Sequence, residues 1–287
     1  MERVSHLVQF FFSGLTAGSI YALMAVSLLI VYRVSRLICF SQGEFYVIGA
    51  LSMIALISRR IPYGLAFLLS ILICALLAGV LQYGFIRRLL RESTGTLIVM
   101  TIGLSLLLKG ASLLIWGRQA YVTEPLVEGS VSLVGATLPL QVFVIMGMTG
   151  ICFTLLWLFF DKTLEGLAMR ACAENQDAAV LMGINVNRTS LIAWMWGGGM
   201  GALAGTLVSP LLFIQYASGL MPMVKGFIAM SVGGLGSVAG VTLGGFFLGL
   251  VESYIIGLLS SKYSDAVVFT ILIVCLLLRP SGLFSRE

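Results

Sequence analysis

The sequence "YGLAFLLSILICALLAGVLQYGFI" at residues 63–86 runs without a single charged side chain. A helix needs roughly 20 mostly apolar residues to cross the ~30 Å hydrocarbon core of a bilayer, so this stretch is long enough to span one. Its apolar residues are continuous rather than alternating, which excludes a strand of a transmembrane barrel. The stretch therefore predicts a membrane-spanning helix.

The composition of the whole chain extends this interpretation. Of 287 residues, 59% are hydrophobic and 10% are charged, and the mean hydropathy is +1.07. Soluble domains carry about 25% charged residues. We predict an all-α polytopic transmembrane helix bundle of about eight spans, in which no soluble domain interrupts residues 1–287. The apolar runs are 8–32, 41–57, 63–86, 96–116, 139–160, 190–213, 222–234, 238–259 and 264–279.

The run at 222–234 is too short to span. At about 1.5 Å per residue it cannot cross a core of ~30 Å, so we predict a re-entrant or broken helix that turns at "GGLGSVAG", residues 233–240. Ser237 can cap the helix that follows. Broken helices often line a substrate route, but a tight turn without substrate contact fits equally well. The candidate pathway residues here are Gly233, Gly234, Gly236 and Ser237.

Many of the 33 glycines have the spacing of close helix packing. Pairs four residues apart occur at Gly14–Gly18, Gly201–Gly205, Gly240–Gly244 and Gly245–Gly249. Small residues at this spacing let helix backbones approach each other in a bilayer. We therefore assign these glycines to packing rather than to chemistry.

The distribution of Lys and Arg predicts the orientation, because cytoplasmic loops are enriched in them. Basic residues cluster at 87–91 (Arg87, Arg88 and Arg91), at 162–188, and weakly after residue 279. The loop 117–138 has one Arg and two Glu, so we place it outside. This puts the N-terminus outside and the C-terminus inside, although Arg59 and Arg60 then lie outside, against the rule.

The chain lacks the residues of several chemistries. Its five cysteines form no CxxC pair and its one histidine is His6, which favours neither a metal site nor a catalytic triad. No GxxxxGK[ST] phosphate loop is present, so any ATP would be bound by another chain. The net charge of +5 reflects cytoplasmic loops rather than nucleic-acid binding.

The most polar segment is "RACAENQDAAVLMGIN", residues 170–185. Treated as one helix, it places Arg170, Glu174 and Asp177 on one arc. The residues on the other arc are Ala171, Cys172, Ala178, Ala179 and Met182, and Gly183 supplies a stop. Small residues would suit insertion into a groove of another protein, but an ordinary solvated connector is an equal alternative.

Two further positions carry alternative interpretations. In "SQGE", Ser41 and Glu44 have the spacing of a capping box, whereas a polar helix start could also line a permeation route, with a mouth at the cytoplasmic side. Lys109 is read as the one charge inside an otherwise apolar span. It could snorkel to the outer interface, a structural role, or take part in transport.

Several stretches together resemble a known family. They are "GLTAGSIYALMAVSLLIVY" (14–32), "FSQGEFYVIGA" (40–50), "RACAENQDAAVLMGIN" (170–185), "GFIAMSVGGLGSVAGVTLGGFFLGLVES" (226–253) and "LRPSGLF" (278–284). In this order they are similar to motifs of the permease subunits of branched-chain amino-acid ABC importers. Cys39 and Gln42 depart from the family pattern, where Asn and His are usual, which bears on the exact substrate.

The resemblance implies a role for each polar segment. In such importers a short cytoplasmic coupling helix, here about 170–183, docks into a cleft of an ATPase subunit. The coupling residues carried over are Arg170, Ala171, Cys172, Ala173, Glu174, Asn175, Ala178 and Gly183, with Arg170 and Glu174 one turn apart and able to pair. The translocation pathway would include Phe40, Ser41, Gln42, Gly43 and Glu44.

The resemblance also implies partners and a location. The chain would be a transport subunit of a bacterial or archaeal inner membrane, not an enzyme, and would bind no cofactor itself. Two ATP-binding subunits would hold ATP and magnesium. A second permease subunit, identical or a paralogue, and a periplasmic or lipid-anchored substrate-binding protein would complete the importer within membrane lipid.

Two other transport functions stay open at this stage. An ion-coupled secondary transporter is one, although residues 63–86, 139–160, 190–213 and 227–249 contain no Asp or Glu, which argues against proton coupling. The other is an ABC permease for a different small solute, such as urea, amides or organic acids. An intramembrane enzyme lacks a nucleophile–base pair.

Overall fold

A computed structural model describes residues 2–87, 94–133 and 135–279 of the chain. Arg88, Arg91 and most of the "LRPSGLF" motif lie outside the described residues. The helices are α1 Glu2–Ser35, α2 Gln42–Ser58, α3 Tyr63–Leu81, α4 Thr94–Trp116, α5 Leu140–Lys162, α6 Leu164–Glu174, α7 Gln176–Leu181, α8 Val186–Val208, α9 Leu220–Gly233, α10 Val238–Leu258 and α11 Ser261–Leu278.

The predicted all-α class is confirmed. Within the described part of the chain, seven helices are long and apolar enough to cross a membrane, namely α1, α3 with its extension to Ile86, α4, α5, α8, α10 and α11. The apolar helices α2 and α9 are shorter. The short run predicted at 222–234 is α9, which ends at Gly233.

One span is displaced from its predicted bounds of 190–213. The helix α8 begins earlier because the Asn185 side chain accepts a hydrogen bond from the Arg188 amide at 3.2 Å, which caps its first turn. It ends at Val208, just before Pro210, which has no N–H to continue the helical hydrogen bonds; Ser209 itself still has helical φ and ψ, and its amide donates to the Gly205 carbonyl oxygen. Hydropathy alone had carried the run on to residue 213.

Two elements were not predicted. Strands β1 (Ser130–Leu133) and β2 (Ala136–Pro139) form an antiparallel hairpin around Gly135, whose φ of +85° is accessible to glycine. The alternation in "SVSL" and "ATLP" about a glycine was the available signal. After α3, residues Gln82–Ile86 form a π-helix, a rare feature that has no reliable sequence pattern.

The chain divides into two compact units. The first contains the described parts of residues 1–26, 123–149 and 221–287, and the second contains those of 27–122 and 150–220. The assignment of residues 1–287 to one permease domain stays a prediction.

Glycines bring helices together within each unit. In the first unit a Cβ on Gly18 of α1 would lie 2.8 Å from the Phe246 Cα of α10, and one on Gly245 would lie 2.5 Å from the Ala22 Cα. In the second unit a Cβ on Gly205 of α8 would clash with the Tyr46 carbonyl oxygen of α2. The packing role predicted from glycine spacing is confirmed at these positions.

Candidate translocation pathway and coupling segment

The helix α2 begins at the depth of the middle of α4. The Ser105 hydroxyl donates a hydrogen bond to Glu44 Oε1 at 3.0 Å, and Ser105 is the central residue of Thr94–Trp116. Glu44 is only the third residue of α2. Because α4 is long and apolar enough to cross a bilayer, the start of α2 lies level with the middle of a candidate span. The expected position at the cytoplasmic side disagrees with this contact, which joins the start of α2 to the middle of α4 rather than to one of its ends.

That segment, residues 36–41, is non-helical and largely enclosed. Leu37 and Cys39 are each 1% exposed, and Ser41 is fully buried. Irregular backbone at membrane depth is tolerated only where protein or a wet cavity surrounds it. The 17 residues of α2 would extend about 26 Å, which is less than a full crossing and agrees with a start inside the bilayer.

The predicted capping box does not form. The Ser41 side chain makes no capping hydrogen bond, and its Oγ lies 3.0 Å from Cys39 Sγ instead. The Glu44 carboxylate is turned toward Ser105. The sequence has the spacing of a capping box, but the Glu44 carboxylate accepts a hydrogen bond from Ser105 of α4 instead.

Two buried acceptors at this helix start have no hydrogen-bond partner among the described residues. The Gln42 Nε2 donates to Ser27 Oγ, but Gln42 Oε1 has no donor. Glu44 Oε2 also has none, although Glu44 is only 5% exposed. Leaving a buried polar atom unpaired costs about 1–3 kcal/mol, so native proteins keep few of them. Both atoms can be satisfied only by a donor.

The remaining predicted pathway residues near α2 differ in surroundings. Phe40 is half-buried and Gly43 is buried. A Cβ on Gly219 would lie 2.3 Å from the Gly43 carbonyl oxygen, so this part of α2 is covered by chain that follows α8.

The 233–240 segment forms a tight turn between α9 and α10 in the first unit. Ser237 Oγ accepts a hydrogen bond from the Gly240 amide at 2.9 Å, which confirms the predicted cap. A Cβ on Gly233 would lie 2.5 Å from the Gly240 carbonyl oxygen, and Gly234 has a φ of +87°. Gly236 is exposed. Close packing therefore accounts for Gly233, and the left-handed backbone of the turn accounts for Gly234.

The coupling segment consists of two helices rather than the one assumed for 170–185. The chain leaves helical geometry at Asn175, whose side chain accepts from the Ala178 amide at 3.0 Å and starts α7. Asn favours such local bonds over helix interiors. Thr163 caps α6 in the same way, accepting from the Gly166 amide at 3.0 Å.

Because the helix breaks at Asn175, the segment does not have the two continuous faces that were predicted for a single helix. Cys172 and Ala179 are buried as expected, but Ala178 is exposed and Met182 is 83% exposed. Ala171 and Ala173 are half-buried, while Arg170, Glu174, Asn175 and Gly183 are exposed. The exposed apolar side chains Val180, Leu181 and Met182, which we call the apolar tip, end the segment.

Ion pairs attach the segment to neighbouring helices. Arg170 lies 3.6 Å from Asp161 of α5, so the suggested pairing with Glu174 is wrong. Arg188 of α8 lies 2.6 Å from Glu165 of α6. Both pairs are exposed, and each contributes about 0–1 kcal/mol. They fix the position of α6 more than they stabilise it.

Arg36 connects the coupling segment to the segment before α2. Its guanidinium donates to the Ala173 carbonyl oxygen near the end of α6, and its φ is +53°. A non-glycine residue in this left-handed region costs about 1–2 kcal/mol. Only four residues separate Arg36 from Ser41.

Sequence reasoning missed a charged cluster in the first unit. Lys225 of α9 lies 2.6 Å from Glu252 of α10 and 3.0 Å from Asp265 of α11, and Ser264 donates to Glu252 at 2.9 Å. Lys109 is the one charge of α4, as expected, but it is not the one charge within the apolar helices. The sequence did contain a signal for this cluster, since opposite charges occur in successive apolar runs and intramembrane charges usually pair with one another.

Comparison with known proteins adds the following. The profile described as "Branched-chain amino acid transport system / permease component" matches residues 10–276. The chain is 30% identical over 305 residues to the high-affinity branched-chain amino acid transport system permease protein BraD of Pseudomonas aeruginosa, covering 100% of this chain and 98% of that protein.

Two further relatives and one solved structure are similar. The permease protein LivH of Escherichia coli is 30% identical over 301 residues, covering 99% of this chain and 97% of that protein. The probable LivH of Methanocaldococcus jannaschii is 28% identical over 289 residues, with 93% and 89% coverage. PsaBC from Streptococcus pneumoniae in complex with Fab matches with a TM-score of 0.47 and 12% identity, covering 96% of this chain and 91% of that chain.

Proposed function

Because the chain belongs to the family of permease components of branched-chain amino acid transport systems, we propose that it is the permease subunit of an ABC importer for branched-chain or related amino acids. The observation that carries this proposal is the family match, which extends over residues 10–276. The relatives named for branched-chain amino acid transport match over nearly their whole lengths.

In this proposal the chain does no covalent chemistry. Two separate ATPase subunits bind ATP with magnesium and supply the driving energy. A second permease chain completes the path, and a periplasmic or lipid-anchored binding protein delivers the amino acid. Transport proceeds by alternating access across a bacterial or archaeal inner membrane.

The coupling segment offers a docking surface for an ATPase subunit. The apolar tip, 180–182, exposes three large side chains at the end of α7, and Leu181 is 87% exposed. Exposed apolar side chains on a polar segment are typical of a surface that a partner covers. Glu174 and Asp177, both exposed, add negative charge to the same segment.

Movement of the segment can reach the pathway by a short route. A displacement of α6 pulls on Arg36 through the Ala173 carbonyl, and residues 37–41 carry the pull to the start of α2. The pathway residues Gln42 and Glu44 lie there, near mid-membrane. Sites of this kind, at broken helices near the bilayer midplane, are typical of transporters.

The orientation follows from the same assignment. The coupling segment lies in the cytoplasm, so α8 leads from the cytoplasm to the outer face and the hairpin of β1 and β2 lies outside. The N-terminus is then outside and the C-terminus inside.

The test is transport by the assembled importer. The chain is co-purified with the ATPase subunits and a second permease encoded near it, reconstituted with ATP in the lumen, and supplied with leucine-loaded binding protein. We expect leucine uptake that needs ATP and persists with a protonophore. Uphill uptake by the chain alone, driven by a proton or sodium gradient, would contradict the proposal.

A further inference from the structure

Two opposite charges lie near each other in the second unit without forming a salt bridge. Glu44 of α2 accepts from Ser105 of α4, and Lys109 lies one helical turn beyond Ser105, on the same face. Lys109 acts on the Glu44 carboxylate electrostatically. Within the described ranges, however, no nitrogen–oxygen contact of 4 Å or less joins Lys109 to any carboxylate.

Both charges keep unused bonding capacity. Glu44 Oε2 is buried and has no partner among the described atoms, and a carboxylate oxygen can only accept. A Lys ammonium carries three donors. Lys225, by contrast, contacts two carboxylates, although Glu252 Oε2 in that cluster also has no partner among the described atoms.

We propose that Glu44 and Lys109 form a binding site for the charged backbone of a free amino acid. The Glu44 carboxylate accepts from the α-ammonium, and the Lys109 ammonium donates to the α-carboxylate. This assignment rests on the proposed function and names the part of the substrate that the pathway recognises.

The sign of the two charges selects this class of ligand. A simple cation would be attracted by Glu44 but repelled by Lys109. A monocarboxylate would be attracted by Lys109 but repelled by Glu44. A neutral amide or urea carries no charge that complements either side chain. An α-amino acid carries both opposite charges on one carbon, so one molecule satisfies both side chains.

The surroundings suit an apolar amino-acid side chain. Leu104 and Leu108, which flank Ser105 and Lys109 on α4, belong to the buried apolar cluster that also contains Phe45, the neighbour of Glu44. Branched aliphatic groups are therefore favoured next to the two charges over polar ones.

The first test removes each charge in the reconstituted importer. With Glu44→Gln or Lys109→Met we expect leucine uptake to fall about tenfold or more, because losing one hydrogen bond to a charged group weakens binding by about that factor. The ATPase activity stimulated by leucine-loaded binding protein is expected to persist. Glu128→Gln and Lys162→Met, at exposed positions, should leave both readouts unchanged.

The double variant separates a ligand site from a structural pair. If the two charges only balance each other, the double variant should recover the leucine uptake that each single variant loses. In the proposed site the double variant transports no better than the slower single variant. Recovery of uptake in the double variant, or unchanged uptake in both single variants, would overturn the assignment.

A second measurement needs no variant. The wild-type assembly without binding protein is melted with leucine, with 4-methylpentanoate, which lacks the ammonium, or with 3-methylbutylamine, which lacks the carboxylate. We expect stabilisation by leucine and not by either analogue. No stabilisation by leucine, or equal stabilisation by one analogue, would overturn the site. Absent leucine uptake by the wild-type importer would instead overturn the proposed function.

Discussion

At the scale of single residues, charge decides most of what is distinctive in this chain. Only 10% of the residues are charged, yet Glu44, Lys225 and Glu252 are placed within apolar helices. Lys225 and Glu252 form a contact of 2.6 Å, whereas Glu44 has no basic nitrogen within 4 Å among the described residues, and each carboxylate keeps one oxygen without a hydrogen-bond partner there. The same residue types therefore serve stability in one unit and, in our proposal, recognition in the other.

The Lys225 cluster should be a major contributor to the stability of the first unit. Replacing Lys225 by Met leaves Glu252 buried without its counter-ion, and breaking a buried pair costs about 3–5 kcal/mol. We expect a clearly lower thermal unfolding temperature in detergent. Lys262→Met, at an exposed position of α11, is the matched control and should unfold like the wild type. Equal unfolding temperatures for both variants would refute this role.

Arg36 should affect transport through its bond to Ala173. With Arg36→Ala we expect substrate-driven uptake to fall while insertion and assembly persist, because the link between α6 and the start of α2 is lost. Arg60→Ala is the control, since Arg60 has a comparable φ of +64° and lies at the other end of α2. If both variants lower uptake equally, backbone conformation and not the link is responsible.

At the scale of elements, hydropathy predicted which segments are helices but not where they lie. Long apolar runs are local features, so the runs at 63–86 and 238–259 agree with the observed helices within a residue or two. The depth of α2 depends on Ser105, sixty-one residues away, and no local pattern encodes that contact. The break at Asn175 was readable, because Asn is a good N-cap, but helical periodicity obscured it.

The apolar tip should become covered when an ATPase subunit binds. Leu181→Cys is expected to react quickly with maleimide in the isolated permease and slowly in the assembly. Native Cys172 should contribute little background labelling, because burial raises the pKa of its thiol and keeps the reactive thiolate scarce at pH 7. At higher pH more of the thiolate forms, and the background labelling of Cys172 should increase. Gln119→Cys, in the loop after α4, should react equally with and without ATPase subunits.

At the scale of the whole molecule, the predicted pathway residues are distributed over both units. Residues 40–44 belong to the second unit and residues 233–237 to the first. Family resemblance named both segments, but the structure gives unpaired polar atoms to the first segment and close packing to the second. A motif match shows that a segment matters, and only its contacts show for which purpose.

The orientation of the chain is open to direct measurement. A membrane-impermeant maleimide applied to intact spheroplasts should label Gln119→Cys and not Leu181→Cys, since the proposal places α7 in the cytoplasm. Permeabilised cells should label both. All five native cysteines are buried, so the wild-type chain is a suitable blank. The opposite labelling pattern would reverse the assigned topology.

The contact between Gly18 and Phe246 has a consequence for biosynthesis. At about 5–20 residues per second, the second partner leaves the ribosome roughly 10–50 s after the first. The glycine face of α1 therefore lacks its packing partner in the membrane until nearly the whole polypeptide has been translated. A stalled or prematurely terminated chain keeps this face open, and we expect quality-control proteases to recognise it there.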